Sequence, residues 1–200
     1  MCHKSVLDWI PRALTPDEVG AAEILEVGSY DVNGSVRPII TGMYPHPDDY
    51  VGVDIEMGPG VDKVVRADEL VATFGTESFD IVISTEMMEH VVDWQVPIVE
   101  MVEVLRPGGL LVISTRSPGF PYHPYPIDTW RYTLDAMRTI MERAGLEVLL
   151  LEDDWEQPGV FVKAYKPEDW VAPWKDTSVA TIGKIFQNAG VLPMTPYGVR

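Results

Sequence analysis

The chain has 200 residues, of which 46% are hydrophobic and 23% charged, as expected for one soluble globular domain. Its net charge of −16 disfavours a nucleic-acid partner, because a field of this sign repels phosphate backbones. Cys2 is the single cysteine, which excludes an intrachain disulfide and a cysteine-based zinc site.

Residues 1–22 are predicted to precede the main domain and to contain one short helix. Thr15, Pro16 and Glu18 are residue types favoured at the cap, the first position and the third position of a helix. This segment has no apolar signal core, and no stretch approaches the roughly 20 apolar residues of a membrane span. We therefore expect a cytoplasmic protein that does not associate with a membrane.

Apolar runs and helical patterns alternate from residue 23 to residue 166. The runs are continuous, which is typical of parallel strands that are buried on both faces. They cover residues 24–27, 50–54, 63–66, 79–84 and 109–115.

Two helices are predicted among these strands. The first covers residues 93–105, with Pro97 in its first turn, and residues 106–109 are expected to turn into the next strand. The second covers residues 134–144 and is followed by Gly145, a residue type that commonly ends a helix.

The end of this domain is predicted to be a hairpin. Residues 146–152 and 160–166 form two strand-like runs, and only seven residues separate them. A parallel crossover needs a dozen or more residues, so the last strand is predicted to be antiparallel. A two-halved dinucleotide-binding fold would continue with helical crossovers instead.

Residues 167–200 are predicted to form a C-terminal extension. Trp170, Trp174 and a weak helical stretch near residues 178–188 favour packing over the domain. Contact with a partner subunit, as in a homodimer, stays open.

Acidic residues mark the ends of two neighbouring strands. Glu26 and Gly28 stand at the end of the first strand, and Asp54 stands at the end of the second. A turn containing glycine lets backbone N–H groups approach a ligand, and a strand-end carboxylate can accept both hydroxyls of a ribose. These residues predict a cofactor that contains a nucleoside.

With these strand ends, the chain resembles the class I S-adenosylmethionine-dependent methyltransferases over residues 22–166. Four blocks carry the resemblance, in the order that the family shows: LEVGS, VGVD, FDIVISTEMMEHV and LRPGGLLVIST. The resemblance implies a Rossmann-like three-layer α/β/α sandwich whose seven-stranded sheet is mostly parallel, with the last strand antiparallel. The cofactor, S-adenosylmethionine, is expected across the carboxyl ends of the strands.

The resemblance also implies which residues contact the cofactor. Asp54 would hold the ribose hydroxyls, and Asp68 would face the adenine amino group beside Ala67, unless Asp68 caps the following helix. The other implied contacts are Glu26, Gly28, Ser29, Tyr30, Asn33, Ile55, Ser84, Thr85 and Glu86.

The chain departs from the family at two places. Tyr30 and Val32 stand where the family's first motif has glycines, although Asn33 can adopt the same backbone geometry slightly later. Residues 55–62 are too few, and too rich in glycine, to hold the helix that most members place there.

The acceptor side is predicted in two segments. His90 follows the fourth strand and is either a base or a structural residue. Residues 117–132 follow the fifth strand and combine prolines and rings with polar groups, which is typical of a loop over a small-molecule or sugar pocket. His123 is the first candidate for a general base, and the predicted substrate-binding residues are Tyr122, Asp128, Trp130 and Arg131. Arg131 either binds a substrate anion or pairs with Asp128.

The sequence thus predicts a methyltransferase for a small-molecule or glycan acceptor, with a hydroxyl as the expected acceptor group. The alternatives are transfer to nitrogen or carbon, and a non-catalytic scaffold that retains the fold. No motif gathers metal-ligating side chains, so no metal is predicted.

Overall fold

A computed structural model describes residues 3–174 and 179–199. Its helices are α1 (Lys4–Ala13), α2 (Pro16–Val19), α3 (Arg37–Thr41), α4 (Leu70–Phe74), α5 (Gln95–Val104), α6 (Leu134–Arg143) and α7 (Val179–Ile185), with a 3-10 turn at Met88–His90. Its strands are β1 (Glu23–Val27), β2 (Asp49–Asp54), β3 (Lys63–Val64), β4 (Phe79–Thr85), β5 (Leu105–Arg116), β6 (Trp130–Arg131), β7 (Glu147–Asp153), β8 (Gly159–Tyr165), β9 (Leu192–Thr195) and β10 (Gly198–Val199).

Seven strands form the main sheet in the order β3-β2-β1-β4-β5-β8-β7. The pairs on the β3 side are parallel, whereas β8 runs antiparallel to both β5 and β7. The predicted hairpin is β7–β8, and the predicted Rossmann-like sheet with an antiparallel last strand is confirmed.

The central strands contribute to two apolar cores on opposite faces of the sheet. In β1, Leu25 belongs to the core under α4, α5 and α6, and its neighbour Ile24 belongs to the core under α1, α2 and α3. Successive side chains of a strand point to opposite faces, so a strand with helices on both sides must be apolar at every position. The continuous apolar runs in the sequence have this origin.

Helix α1 is an element that the sequence analysis did not predict. Val6, Trp9 and Ile10 are fully buried in the second core, and the ring of Trp9 stacks on Phe161 with centroids 4.8 Å apart. Their spacing is that of one face of a helix, although Pro11 lies within its last turns. The predicted cap of α2 is present, because Thr15 accepts a hydrogen bond from the backbone of Glu18.

The two central helices lie close to their predicted positions. Helix α6 ends at Arg143, and Gly145 follows its C-cap with a φ of 75°, a conformation that favours glycine. The expected turn at residues 106–109 is instead an irregular first part of β5, where the register to β4 shifts. Residues 55–62, all described, form no helix.

Residues after β8 pack onto the first core. Trp174 and Phe186 are nearly buried there, and the indole of Trp170 donates a hydrogen bond to Ala144 O at 2.9 Å. Strands β6, β9 and β10 form a small antiparallel sheet, which the sequence did not predict. Residue 178 of the predicted helical stretch lies outside the described residues. No helix in the described ranges has the length and apolar character to cross a membrane.

Candidate functional site

A groove of about 470 Å³ lies at the carboxyl ends of β1, β2 and β4. Its size falls in the range of small-molecule sites. Predicted cofactor residues on its wall are Gly28, Tyr30, Asp54, Ile55, Ala67, Asp68 and Glu86. Parallel strands bring their carboxyl ends to one edge, so residues far apart in sequence meet there.

Asp54 is a half-buried carboxylate at the end of β2. Its Oδ2 accepts the Tyr30 N–H at 3.1 Å, and its Oδ1 accepts the Ile55 N–H at 2.7 Å. Each carboxylate oxygen has a second lone pair, so these bonds orient Asp54 and leave capacity for ligand hydroxyls.

The turn after β1 is held by its own backbone. The N–H groups of Gly28 and Ser29 donate to Val53 O at 2.9 and 3.0 Å, and the N–H of Asp31 donates to Pro59 O at 2.8 Å. We expected these N–H groups to face a ligand. In the structure they donate instead to backbone carbonyls at the end of β2 and in the connection that follows it.

Glycines missing from this turn are compensated by glycines after β2. A Cβ on Gly58 would lie 2.3 Å from the Tyr30 ring, and one on Gly60 would lie 2.5 Å from Ser29 O. Both distances are shorter than any real contact. The short connection at residues 55–62 therefore makes room for a tyrosine where the family has a glycine.

Asp68 lines the groove and forms an ion pair with Arg66. Its two oxygens accept Arg66 Nε at 2.8 Å and Arg66 Nη2 at 2.9 Å, and this pairing holds the pKa of Asp68 below its ordinary value. The alternative role as a helix cap is not observed, because α4 begins after Glu69.

Four predicted cofactor residues lie behind the groove wall. Their relative exposures are at most 3%: Glu26, Ser29, Ser84 and Thr85. In this structure these side chains are buried in the edge of the sheet and do not line the groove. Glu26 accepts a hydrogen bond from Tyr50 Oη at 2.8 Å, and burial raises its pKa to about 7.

A second cavity of about 170 Å³, here called the chamber, adjoins the groove. Its lining residues are His3, Asn33, Glu86, Glu89, His90, Phe120 and His123. Glu86 and His90 belong to both cavities, so the groove and the chamber meet at these two side chains.

Glu86 sits at this junction in a strained conformation. Its φ is 55°, which is uncommon for a residue other than glycine and is concentrated at functional sites. Its carboxylate accepts the Ser114 hydroxyl at 2.9 Å and pairs with Arg116. Burial and the charge of Glu89 raise the pKa of Glu86, against the opposing effect of Arg116.

The two predicted histidines meet in the chamber. The rings of His90 and His123 have centroids 4.9 Å apart, and each Nε2 lies 3.8 Å from Oε1 of the buried Glu89. Burial alone would raise the pKa of Glu89, but the two rings and the Thr115 hydroxyl hold it well below its ordinary value. For His123, burial lowers the pKa, and the Glu89 and Asp128 carboxylates raise it more.

Arg131 is a brace inside the loop, not a group exposed to substrate. It is fully buried, pairs with both oxygens of Asp128, and donates to Pro121 O at 3.1 Å. Of the two predicted roles, pairing with Asp128 is the one observed. Asp128 in turn accepts the backbone N–H of His123 at 2.8 Å, so the brace positions that histidine.

The remaining predicted substrate residues lie outside the chamber lining. Trp130 is half-buried and donates its indole N–H to Val92 O at 2.9 Å, which attaches β6 to the segment after β4. Tyr122 is half-buried in the loop. The loop nevertheless reaches both cavities, because Phe120 and His123 line the chamber and Tyr125 lines the groove.

Sequence reasoning missed three residues of the chamber. Glu89 was passed over although it precedes His90 directly, and a carboxylate beside a histidine at a strand end was the available signal. His3 and Phe120 gave no such signal, because their rings meet only in the folded chain, with centroids 5.7 Å apart. The sequence also predicted no grouping of metal-ligating side chains, whereas the structure brings Glu89, His90 and His123 together.

Comparison with known proteins agrees with this geometry. Residues 3–151 match a family described as a methyltransferase domain. A curated relative, the ubiquinone biosynthesis O-methyltransferase of Parvibaculum lavamentivorans, is 34% identical over 79 residues, which are 40% of this chain and 31% of the relative. The match therefore spans about a third of that relative's length.

The fold is shared with solved structures, of which two are described here. The S-adenosylmethionine-dependent methyltransferase of Mesorhizobium loti has a TM-score of 0.55 and 18% identity, covering 74% of this chain and 92% of its own. The 1,6-didemethyltoxoflavin-N1-methyltransferase of Burkholderia thailandensis, solved with S-adenosylhomocysteine, has a TM-score of 0.58 and 16% identity, covering 73% and 71%.

The family match extends over well over half of the chain and includes the groove and the chamber. The chain therefore belongs to the methyltransferase-domain family. Its strand order and terminal hairpin place it among the class I S-adenosylmethionine-dependent methyltransferases.

The groove fits the cofactor of this class. Four carboxylates line the groove and can accept hydrogen bonds, those of Asp54, Asp68, Glu86 and Asp93. S-adenosylmethionine offers the matching donors in its ribose hydroxyls, adenine amino group and ammonium group, and its sulfonium is a cation. An acidic, acceptor-rich wall is complementary to such a ligand.

Proposed function

We propose that this chain transfers a methyl group from S-adenosylmethionine to an oxygen of a small-molecule acceptor or of a terminal sugar. The observation that carries the proposal is the junction at Glu86 and His90, which both cavities share. A donor in the groove and an acceptor in the chamber would meet there. When bound, the cofactor supplies an electrophilic methyl group.

The chain's part in cofactor binding follows from the groove. Asp54, oriented by two backbone N–H groups, would accept the ribose hydroxyls, and Asp68 would accept from the adenine amino group. Glu86 would lie near the positively charged end of the cofactor. The positions of Asp54 and Glu86 at two strand ends support this orientation, with the adenosine toward β2 and the methyl group toward β4.

The chamber's size and polarity support the class of acceptor. A cavity of about 150 Å³ holds benzene, so a chamber of about 170 Å³ is large enough for one six-membered ring. His90, His123 and Glu89 present lone pairs to it. A hydroxyl must lose its proton to attack a methyl group, and such lone pairs can receive it. His123, held at its backbone by Asp128, is the proposed base.

A non-catalytic scaffold is the second candidate. It is favoured by the turn after β1, whose N–H groups are already bonded to Val53 O and Pro59 O. A scaffold would keep the fold and bind the cofactor weakly or not at all.

The test is the release of S-adenosylhomocysteine with matched acceptors that differ only at the reacting atom. Phenol and catechol would be compared with aniline, and a methyl glycoside with the corresponding amino sugar. We expect release with hydroxyl acceptors, lowered by about 10²- to 10⁴-fold in His123→Asn and unchanged in His46→Asn. His46 is an exposed histidine outside both cavities. Turnover of the amines alone would contradict the proposal.

A further inference from the structure

We propose that the chamber binds one divalent transition-metal cation through His90 Nε2, His123 Nε2 and Glu89 Oε1. This inference rests on the proposed function only for the cation's role, which is to bind the acceptor oxygen. The binding itself follows from the geometry of the three side chains.

The first observation is a buried carboxylate oxygen that accepts no hydrogen bond among the described residues. Glu89 is fully buried, and its Oε1 has no hydrogen bond to any residue that the structure describes. Both Nε2 atoms lie 3.8 Å from this oxygen, which is too long for a hydrogen bond. Burying a carboxylate oxygen without a hydrogen bond costs free energy. A cation or a hydrogen-bond donor between Glu89 Oε1 and the two Nε2 atoms would offset that cost.

The second observation is that the outward atoms of all three side chains are already fixed. His90 Nδ1 bonds to Ile127 O, His123 Nδ1 lies 3.1 Å from Asp128 Oδ2, and Glu89 Oε2 accepts the Thr115 hydroxyl at 2.8 Å. A histidine that donates from Nδ1 to a carbonyl or carboxylate keeps its Nε2 lone pair free. This is the arrangement in which histidines bind metals, with the outer partner fixing the tautomer and the ring orientation.

These two observations place three acceptors around one point. The three ligand atoms lie within 4.8 Å of one another. Bonds of about 2.1 Å to one cation would separate neighbouring ligands by about 3.0 to 3.4 Å, so the side chains would close in by several tenths of an ångström or more. Such a shift lies within the range of side-chain adjustment, because two ligands come from the 3-10 turn at Met88–His90 and the third comes from the loop that carries His123.

The ligand chemistry favours a transition metal. Two imidazoles and one carboxylate suit cations such as Mn²⁺, Fe²⁺, Co²⁺ and Zn²⁺, whereas Mg²⁺ and Ca²⁺ prefer oxygen ligands alone. Glu86 is not a ligand in this arrangement, because its oxygens are engaged by Ser114 and Arg116. The remaining coordination positions face the chamber, where the acceptor would lie.

A bound cation changes the role of the histidines. A cation held by these three side chains would lower the pKa of an acceptor hydroxyl bound to it, and the proton would then pass to bulk solvent. In the metal-bound protein His123 is a ligand, and it is the base only in the metal-free protein.

The test is a titration with Co²⁺ of untagged, chelator-treated protein, followed by visible d–d absorption. We expect one equivalent to bind, and Zn²⁺ to displace it. Binding should weaken by about 100-fold or more in His123→Ala and in Glu89→Gln, which keeps the shape of the side chain and its acceptor for Thr115. His46→Ala is the matched control and should bind as the unaltered chain does.

Binding that is equally strong in His123→Ala, Glu89→Gln and the unaltered chain would overturn the inference, as would the absence of saturable absorption. Circular dichroism of each variant checks that the fold is retained. Calorimetry with S-adenosylhomocysteine in the presence of chelator separates the two proposals. Cofactor binding without Co²⁺ binding would overturn the metal site alone, and Co²⁺ binding without cofactor binding would overturn the proposed function alone.

Discussion

Glu26 gives the sharpest prediction about stability. It is 2% exposed at the end of β1, and burial raises its pKa to about 7, although Tyr50 donates to it and the charge of Arg37 lies nearby. The ordinary pKa of a glutamate side chain is 4.5. The folded chain therefore binds more protons than the unfolded chain between about pH 4.5 and 7, and its stability falls as the pH rises through this window.

The size of the effect follows from the shift. A difference of about 2.5 pH units corresponds to about 3 kcal/mol, which is the ceiling for the cost of ionising Glu26 in the folded chain. Glu26→Gln retains an acceptor for the Tyr50 hydroxyl and cannot ionise. We expect the variant to match the unaltered chain near pH 4.5 and to exceed its free energy of unfolding by up to about 3 kcal/mol at pH 8.

Urea unfolding of the cofactor-free protein at pH 4.5, 6, 7 and 8 measures this difference. Glu142→Gln, at an exposed position on α6, is the matched control and should show no pH-dependent gain. A gap between Glu26→Gln and the unaltered chain that is constant across these pH values would refute the reasoning, since Glu26 would then not change protonation in this window.

Three further substitutions test the packing of the fold. Gly28→Ala places a Cβ 2.8 Å from the Met87 side chain, at a φ of 84°. We expect the free energy of unfolding in urea to fall by about 1–3 kcal/mol. An unchanged urea midpoint would contradict the close approach of the two segments. Arg131→Gln leaves the Asp128 carboxylate buried without its cation, so the free energy of unfolding should fall by about 3–5 kcal/mol. A fall of less than about 1 kcal/mol would show that the pair of Arg131 and Asp128 contributes little to stability. Lys166→Met removes the donor to two backbone carbonyls and should lower the free energy of unfolding by about 1–3 kcal/mol; a more stable variant would contradict this.

The sheet was predictable because its signals are local. Apolar runs without alternation mark strands that are covered on both faces, and the short link between residues 152 and 160 allows only an antiparallel return. The carboxylates of Asp54 and Glu86 could be assigned to one edge for the same reason, since strand ends of a parallel sheet meet there.

The chamber was only partly predictable because it is assembled from distant segments. Glu89 becomes a buried carboxylate beside two imidazole rings only when the loop carrying His123 folds over it. That loop is held by the buried pair of Asp128 and Arg131 and by the small sheet of β6, β9 and β10. No local pattern announces a two-residue strand such as β6, because its pairing depends on residues some sixty positions later.

The family's usual motif misled the prediction at the first turn. We expected its N–H groups to face the cofactor, as in a glycine-rich loop. In this chain Tyr30 replaces a glycine, and Gly58 and Gly60 accommodate the change from the other side. Such a compensation between two loops is visible only once both are placed.

The most direct test of the central claim is a calorimetric titration of the cofactor-free protein with S-adenosylhomocysteine. Asp54→Asn is the test variant, and Asp49→Asn, at the exposed opposite end of the same strand, is its control. We predict saturable binding that weakens by about 10- to 100-fold in Asp54→Asn, because hydrogen bonds to a charged acceptor are lost, and that is unchanged in Asp49→Asn. No saturable binding to the well-folded chain, or equal affinity in Asp54→Asn, would contradict the account.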